Sequence, residues 1–215
     1  FTSGESSKII GNTIHATLNN NPNYTSYSAF TGISVTGNSG KCYIIKNKIF
    51  DIANTNTAAQ LTGIYVQEND SAFIINNMVY DLHAESATVP LASFLTGSVN
   101  ELGIYTQNTG KYLIEHNTVY LSHDNVADGN KCCAFKSWNV GTYHLNNNIF
   151  IADVKPYGNN TYNTCKFYFN PSQFPTNDYN LYYAGDSLNV NNYIGVNWNS
   201  SSSLAGSKQR FFRDF

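Results

Sequence analysis

Asn47-Lys48-Ile49-Phe50, Asn77-Met78-Val79-Tyr80 and Asn117-Thr118-Val119-Tyr120 are three copies of one phrase: asparagine, a variable residue, an aliphatic residue, a ring. Asn12-Thr13-Ile14-His15 precedes them, Asn147-Asn148-Ile149-Phe150 follows, and Asn180-Leu181-Tyr182-Tyr183 is a degenerate sixth copy. Copies recur every roughly 30 to 40 residues, the period of solenoids, propellers and arrays. A short apolar stretch precedes each asparagine: Ile9-Ile10, Tyr43-Ile44-Ile45, Phe73-Ile74-Ile75, Tyr112-Leu113-Ile114 and Tyr143-His144-Leu145. These have the length and the β-branched or aromatic content of strands. The fourth copy reaches its asparagine one residue late, through Glu115-His116, which predicts a bulge.

Between the asparagine phrases runs a second strand signal, Gly32-Ile33-Ser34-Val35, Gly63-Ile64-Tyr65-Val66 and Gly103-Ile104-Tyr105-Thr106, then Ala134-Phe135-Lys136-Ser137. Each repeat therefore reads as strand, asparagine turn, strand, variable loop, strand. No long stretch shows the three-and-four spacing of an amphipathic helix. Short strands in fixed order, without crossover helices or two-residue hairpin turns, predict an all-β parallel β-helix of about five to six coils. Coils would stack at about 4.8 Å. Asparagine tolerates the left-handed turn, and stacked amides bond up a column. The expected ladder is Asn12, Asn47, Asn77, Asn117 and Asn147. With Ile49, Val79, Val119 and Ile149 inward, alternation sends Phe50, Tyr80, Tyr120 and Phe150 outward.

Segments 54–61, 83–100, 123–131 and 152–164 vary in length and read as loops on one side of the solenoid. The coils are assigned to 1–184 and a polar extension to 185–215. Because the first coil begins by residue 8 without an apolar cap, the chain is expected to be a piece of a longer solenoid.

The Ile-x-Asn-x-Ile pattern with intervening Gly-Ile-Tyr strands resembles the right-handed parallel β-helices of the pectate-lyase-like superfamily. It looks closest to the Asn- and Tyr-rich β-helices of large secreted bacterial surface proteins. The resemblance covers residues 7 to about 183. It implies a secreted or cell-surface location and a role ranging from polysaccharide lyase or glycoside hydrolase to adhesin or stalk, since one coil serves them all.

Composition narrows this. Charged residues are only 12% of the 215, while asparagine makes up about one residue in seven. The formal net charge is -2, and the only arginines are Arg210 and Arg213, so no basic field exists for nucleic acid. No apolar run reaches the roughly 18 residues of a membrane-spanning helix.

Six residues past each asparagine, His83, His123 and Asp153 share a column, and Lys136, directed outward beside His123 and Asp124, is the best candidate base for a lyase. The arginine that such lyases use is missing from the coils, as are the paired aspartates of hydrolases of this fold. Calcium is possible at Asp51 and Asp81, or in the loop with Asp124 and Asp128, although turn-forming aspartates explain both sets. Carbohydrate contact is assigned to Tyr65, Tyr105, Tyr80 and Tyr120, with stacking for stability as the alternative. Cys42, Cys132, Cys133 and Cys165 lack the spacing of a metal site. A disulfide from Cys165 to Cys133 or Cys132 is one reading and buried thiols the other. The functional expectation is a non-catalytic scaffold or adhesin-like module needing no cofactor, whose partner is a glycan or a neighbouring surface protein. The alternative is a polysaccharide lyase or glycoside hydrolase.

Overall fold

The structure is a computed structural model that describes residues 6–17, 28–37, 40–54, 59–67, 70–84, 100–123, 131–138, 141–155, 162–168, 176–185, 192–198, 204–207 and 212–213. Within them every regular element is a strand. The first coil contains β1 (Ser7–Ile10), β2 (Thr13–Thr17) and β3 (Ser28–Thr36). The second contains β4 (Lys41–Ile45), β5 (Lys48–Asn54) and β6 (Ala59–Gln67). The third contains β7 (Ser71–Ile75), β8 (Met78–Tyr80) with β9 (Leu82–Ala84), and β10 (Glu101–Gln107). The fourth is β11 (Lys111–Glu115), β12 (Thr118–Leu121) and β13 (Lys131–Trp138), and the fifth β14 (Thr142–Asn146), β15 (Ile149–Ala152) and β16 (Tyr162–Tyr168). The sixth is β17 (Thr176–Asp178), β18 (Leu181–Ala184) and β19 (Asn192–Trp198). First, second and third strands of successive coils pair in parallel as three separate sheets, which makes the fold a parallel β-solenoid. β20 (Leu204–Ser207) and β21 (Phe212–Arg213) pair antiparallel with β19 and β18. β19 thus continues the third sheet from within the stretch read as an extension.

The interior is built from columns of like residues. Ile44, Ile74, Ile114 and Leu145 lie in register and are fully buried, as are Ile64, Ile104 and Phe135. Small residues, Cys42 and Ala72, give way to Tyr112 and Tyr143 in the same column, whose rings stack at 4.8 Å. The Gly-Ile-Tyr strands require their glycine. A Cβ on Gly103 would lie 2.2 Å from Val119 Cγ1 and 2.4 Å from the Ala134 carbonyl oxygen.

The asparagine ladder exists, one residue away from its expected path at the fifth coil. Nδ2 of Asn12, Asn47, Asn77, Asn117 and Asn148 donates to Oδ1 of Asn47, Asn77, Asn117, Asn148 and Asn180, at 2.9 to 3.0 Å. Each of these five acceptors also takes the backbone N–H of the preceding rung. Asn148, not Asn147, carries the fifth rung. Asn147 is exposed at φ 56°, in the column of left-handed corner residues Gly11, Lys46, Asn76, His116 and Tyr179. The left-handed turn therefore falls on the residue before the ladder asparagine.

Two further expectations change with that register. Val119 faces Phe150, and Thr118 faces Ile149, so Phe150 is the buried side chain and Ile149 the exposed one. β7 and β11 pair without interruption from Ser71 with Lys111 to Ile75 with Glu115, so the fourth copy has no bulge there. An irregularity does occur in the second sheet, where the β2–β5 register shifts between Ile14 and Ala16 and Asp51 is the extra residue. Asp81 stands at the same place in the third coil, and both aspartates have φ 53°.

Candidate functional site

Three places on this frame gather the side chains that could carry function. The first is the outer face of the second sheet. Strand alternation lines up His15, Phe50, Tyr80, Tyr120, Ile151 and Tyr183 in one outward column. Lys48, Met78, Thr118, Ile149 and Leu181 form the column beside it. Met78 and Tyr120 are each 43% exposed and Ile149 36%. The rings of Phe50 and Tyr80 stack at 5.1 Å and 10°, and Lys48 Nζ lies 4.6 Å from the Phe50 centroid. A ring whose face lies against the ring of the next coil shows solvent its edge. The expected sugar platform is thus largely closed at Phe50 and Tyr80, whereas Tyr120 is the open member. Asp51 and Asp81 are exposed at the end of this strip, where their left-handed backbone makes the bend.

The second place is the outer side of the third sheet. The Tyr65 hydroxyl donates to Gln107 Oε1 at 2.8 Å and approaches Gln67 Oε1 at 3.1 Å. Tyr105 is tilted against Tyr65 at 5.1 Å. Lys136 Nζ lies 4.6 Å from the Tyr105 centroid and 5.2 Å from that of Trp138. Alternation directs Lys136 outward, yet it is covered and only 4% exposed. Burial lowers its amine to about 8, opposed by the nearby Cys133. Burial also raises Tyr105 above the ordinary tyrosine range. Tyr65 and Tyr105 are therefore tied into a closed amide and amine network.

The third place is the corner between the second and third sheets at the third and fourth coils. His83 and His123 do come together, their rings stacked at 4.1 Å. His123 Nε2 is 2.7 Å from Glu101 Oε1, which also accepts the Ala84 N–H at 2.8 Å. Glu101 is fully buried, in register with Leu61 below and Cys132 above. Glu101 sets a carboxylate between the apolar Leu61 and Cys132 of its column, and counting along the Gly-Ile-Tyr strands exposes it. Asp153 falls one step aside: its N–H bonds to the Leu121 carbonyl, and it is Lys155 that reaches the His123 carbonyl. Lys131, 1% exposed at the start of β13, has its amine lowered to about 8 by burial. Its strand position follows from that of Asn100, whose Oδ1 accepts the Lys131 N–H at 3.1 Å.

Asp124 and Asp128 lie outside the described residues, as does the Cys165 side chain. Cys133 is in register with Thr164, and its thiol donates to the Phe135 carbonyl. Among the described residues no three of histidine, cysteine, aspartate and glutamate are grouped as metal ligands would be. No described helix is long and apolar enough to cross a membrane. Compared with protein-family models, curated proteins and solved structures, the chain gives no match.

Proposed function

We propose that this chain is a rigid, non-catalytic module of a secreted or cell-surface β-solenoid protein, which works by presenting a long flat face to another macromolecule. The observation that supports this most directly is the unbroken ladder from Asn12 to Asn180. Each rung ties one coil to the next through buried amides, and aromatic stacks repeat the tie inside and outside the wall. Such a rod gains length and stiffness from groups that are then occupied with each other. Among the described residues, Met78, Tyr120 and Ile149 meet solvent on the outer face of the second sheet. The secreted or surface location rests on the likeness to Asn- and Tyr-rich surface β-helices. Glycan contact at Tyr80 and Tyr120 is the less favoured use of this face, because sugar rings stack on aromatic faces and the Phe50–Tyr80 stack offers edges.

The second reading, a polysaccharide lyase or glycoside hydrolase of the pectate-lyase-like superfamily, is favoured by one observation, the Glu101–His123 contact at 2.7 Å. A carboxylate that orients an imidazole is how general bases are built. Full burial of Glu101 and burial of Lys136 speak against it. The test incubates the full chain with neutral and uronic-acid polysaccharides, with and without calcium, while ultraviolet absorbance reports unsaturated products and an end-group assay reports new reducing ends. No product is expected. Product that disappears in Glu101→Gln or Lys136→Ala would replace the scaffold by the enzyme.

A further inference from the structure

Among the described strands the coils pair with one another in parallel, and the two antiparallel pairings lie together after the sixth coil. β20 runs along four residues of β19, from Gly195 with Ser207 to Trp198 with Leu204. β21 opposes Leu181 and Tyr182 of β18 with Arg213 and Phe212. β17 has β14 as its one described neighbour. The segment thus lies where a seventh coil would, over part of two sheets and none of the third.

The ladder shows what this cover fails to supply. An inner rung donates through Nδ2 to a carbonyl of the coil before it and to the next Oδ1, as Asn117 does to Ile74 and Asn148 at 2.8 and 3.0 Å. Asn180 keeps the first bond, to Leu145 at 2.8 Å, but its second turns back to Asn177 Oδ1 of its own coil at 3.4 Å. Asn12 has the reverse lack. It donates to Asn47 Oδ1, its other Nδ2 bond turns back to the Ile10 carbonyl at 3.3 Å, and among the described residues no donor reaches its Oδ1. Asn180 is buried and Asn12 exposed. The core repeats the contrast: Tyr182 is 2% exposed, whereas Ile14, which begins its column, is only partly buried, as are Ile9 and Phe30.

We infer that β20 and β21 form a displaceable strap, which keeps the sixth coil from receiving the first coil of a second copy stacked end to end on the same axis. The two ends fit by polarity. In such a stack the Asn180 N–H and Nδ2 donate to Asn12 Oδ1 of the second copy, and that Asn12 donates to the Asn177 carbonyl. β17, β18 and β19 pair in parallel with β1, β2 and β3 of the second copy, whose Ile14 covers Tyr182. Two first coils cannot join in this way, since each brings an acceptor, and two sixth coils each bring donors. The contact is heterologous, and its repetition gives a filament. Covering an open sheet edge is a common defence against growth of this kind. A tethered strap acts at an effective concentration of about millimolar, so a first coil at micromolar concentration starts about a thousandfold behind it. The strap goes beyond the scaffold reading and does not depend on it.

Two variants release the strap: a chain ending at Trp198, and Ala205→Pro with Gly206→Pro. Successive N–H groups of a strand point to opposite sides, so the proline pair removes the one directed at β19. In sedimentation velocity and electron microscopy at micromolar concentration, the full chain is expected to stay monomeric. Both variants should keep its circular dichroism spectrum and form unbranched filaments, which an excess of a peptide of residues 199–215 dissolves. In the released chain Asn12→Ala leaves Asn47 Oδ1 the backbone N–H of residue 12 and should raise the concentration needed for assembly about tenfold. Thr13 and Leu181 begin and end one outward column. Thr13→Cys and Leu181→Cys, mixed as separate released chains, should therefore be joined by a short thiol cross-linker, and neither alone. Released chains that stay folded and monomeric, a full chain that assembles as readily as they do, or assembly indifferent to Asn12→Ala would each overturn the strap. So would loss of the circular dichroism spectrum in both variants, which would make the segment part of the fold instead of a cover. None of these results measures polysaccharide cleavage, so the scaffold reading stands or falls separately.

Discussion

Asn147 and Asn148 are adjacent, identical in chemistry and opposite in role, so replacing each in turn tests the ladder at its most informative rung. The Asn148 side chain accepts the Asn117 N–H and Nδ2–H, both at 3.0 Å. It donates to the Ile114 carbonyl at 2.8 Å and to Asn180 Oδ1 at 2.9 Å. Asn148→Ala removes four hydrogen bonds and leaves two buried donors of Asn117 without that acceptor. An orphaned buried donor costs about 1–3 kcal/mol. Two of them, with partial relaxation, amount to about 4 kcal/mol. In a domain of this size that lowers the melting temperature by roughly 8–16 °C.

Asn147 has only its backbone at stake. Its φ of 56° is disfavoured for residues with a Cβ, so Asn147→Ala should cost about 1 kcal/mol. Asn147→Gly should be neutral within a few tenths of a kcal/mol. Thermal unfolding followed by far-ultraviolet circular dichroism separates these values. Amide exchange adds the location: protection of the Asn117 amide should fall in Asn148→Ala alone. Equal losses for Asn148→Ala and Asn147→Gly would refute the register, and with it every assignment of inward and outward residues in the fifth coil.

Three other perturbations test the frame. Lys136 has its amine at about 8 when folded and at its ordinary 10.5 when unfolded, so the unfolded chain binds more protons between these values and stability rises with pH there. From pH 7 to about 9.5 the gain from Lys136 is about 2 kcal/mol, Lys131 with its amine also at about 8 adds to the same rise, and above about 10 the buried tyrosines, which keep their protons longer when folded, reverse it; Lys136→Met should reduce the rise in a pH series of denaturant melts and leave the part due to Lys131, and a rise of unchanged size would contradict the burial account. Gly103→Ala places a methyl 2.2 Å from Val119 Cγ1 and 2.4 Å from a backbone carbonyl; it should cost about 1–3 kcal/mol and be only partly rescued by Val119→Ala, because the carbonyl stays. Phe150→Asp should prevent folding while Ile149→Asp changes the melting temperature by a few degrees at most, and soluble expression with circular dichroism distinguishes that order from its reverse.

The recurrence of asparagine, aliphatic and ring made the solenoid readable because a coil that stacks on its copies must repeat its chemistry at each corner. The same redundancy makes the fifth rung ambiguous in the sequence. Asn146, Asn147 and Asn148 are consecutive, and Ile149-Phe150 imitates Ile49-Phe50 one position out of phase. A different count would have found the rung: Cys42 to Asn47, Ala72 to Asn77, Tyr112 to Asn117 and Tyr143 to Asn148 are all five positions apart, and the first member of each pair is buried. Matching on inward strand residues also removes the bulge expected at Glu115-His116. The pairing of His83 with His123 was legible from spacing alone, because both follow their asparagine by the same interval. Glu101 is reached by the same kind of count, two residues before Gly103 as Leu61 is before Gly63, but the count gives its column and not its burial. The burial of Lys136 was hidden for a related reason: strand alternation says which way a side chain points and is silent on what covers it.

Repetition also explains where function can reside in such a chain. Identical groups one coil apart satisfy each other: asparagine bonds asparagine, Tyr112 stacks on Tyr143, Phe50 on Tyr80. A side chain in a regular column is therefore occupied, and only a departure from the repeat leaves chemistry over. The described coils depart in few places. Glu101 replaces an apolar residue between Leu61 and Cys132. Lys136 stands where Tyr105 and Tyr65 precede it. The left-handed aspartate of the second and third coils disappears in the fourth, where Leu121 is buried instead. After that coil Ile149 replaces the polar Thr118 on the outer face. The first two departures are sealed inside the wall, which makes them costs of folding that the solenoid tolerates. The last two leave an apolar stretch around Tyr120 on the outer face of the second sheet. Among the described residues Ile149 marks that outward departure, and Ile149→Asp is the change that tests its exposure with the fold left intact.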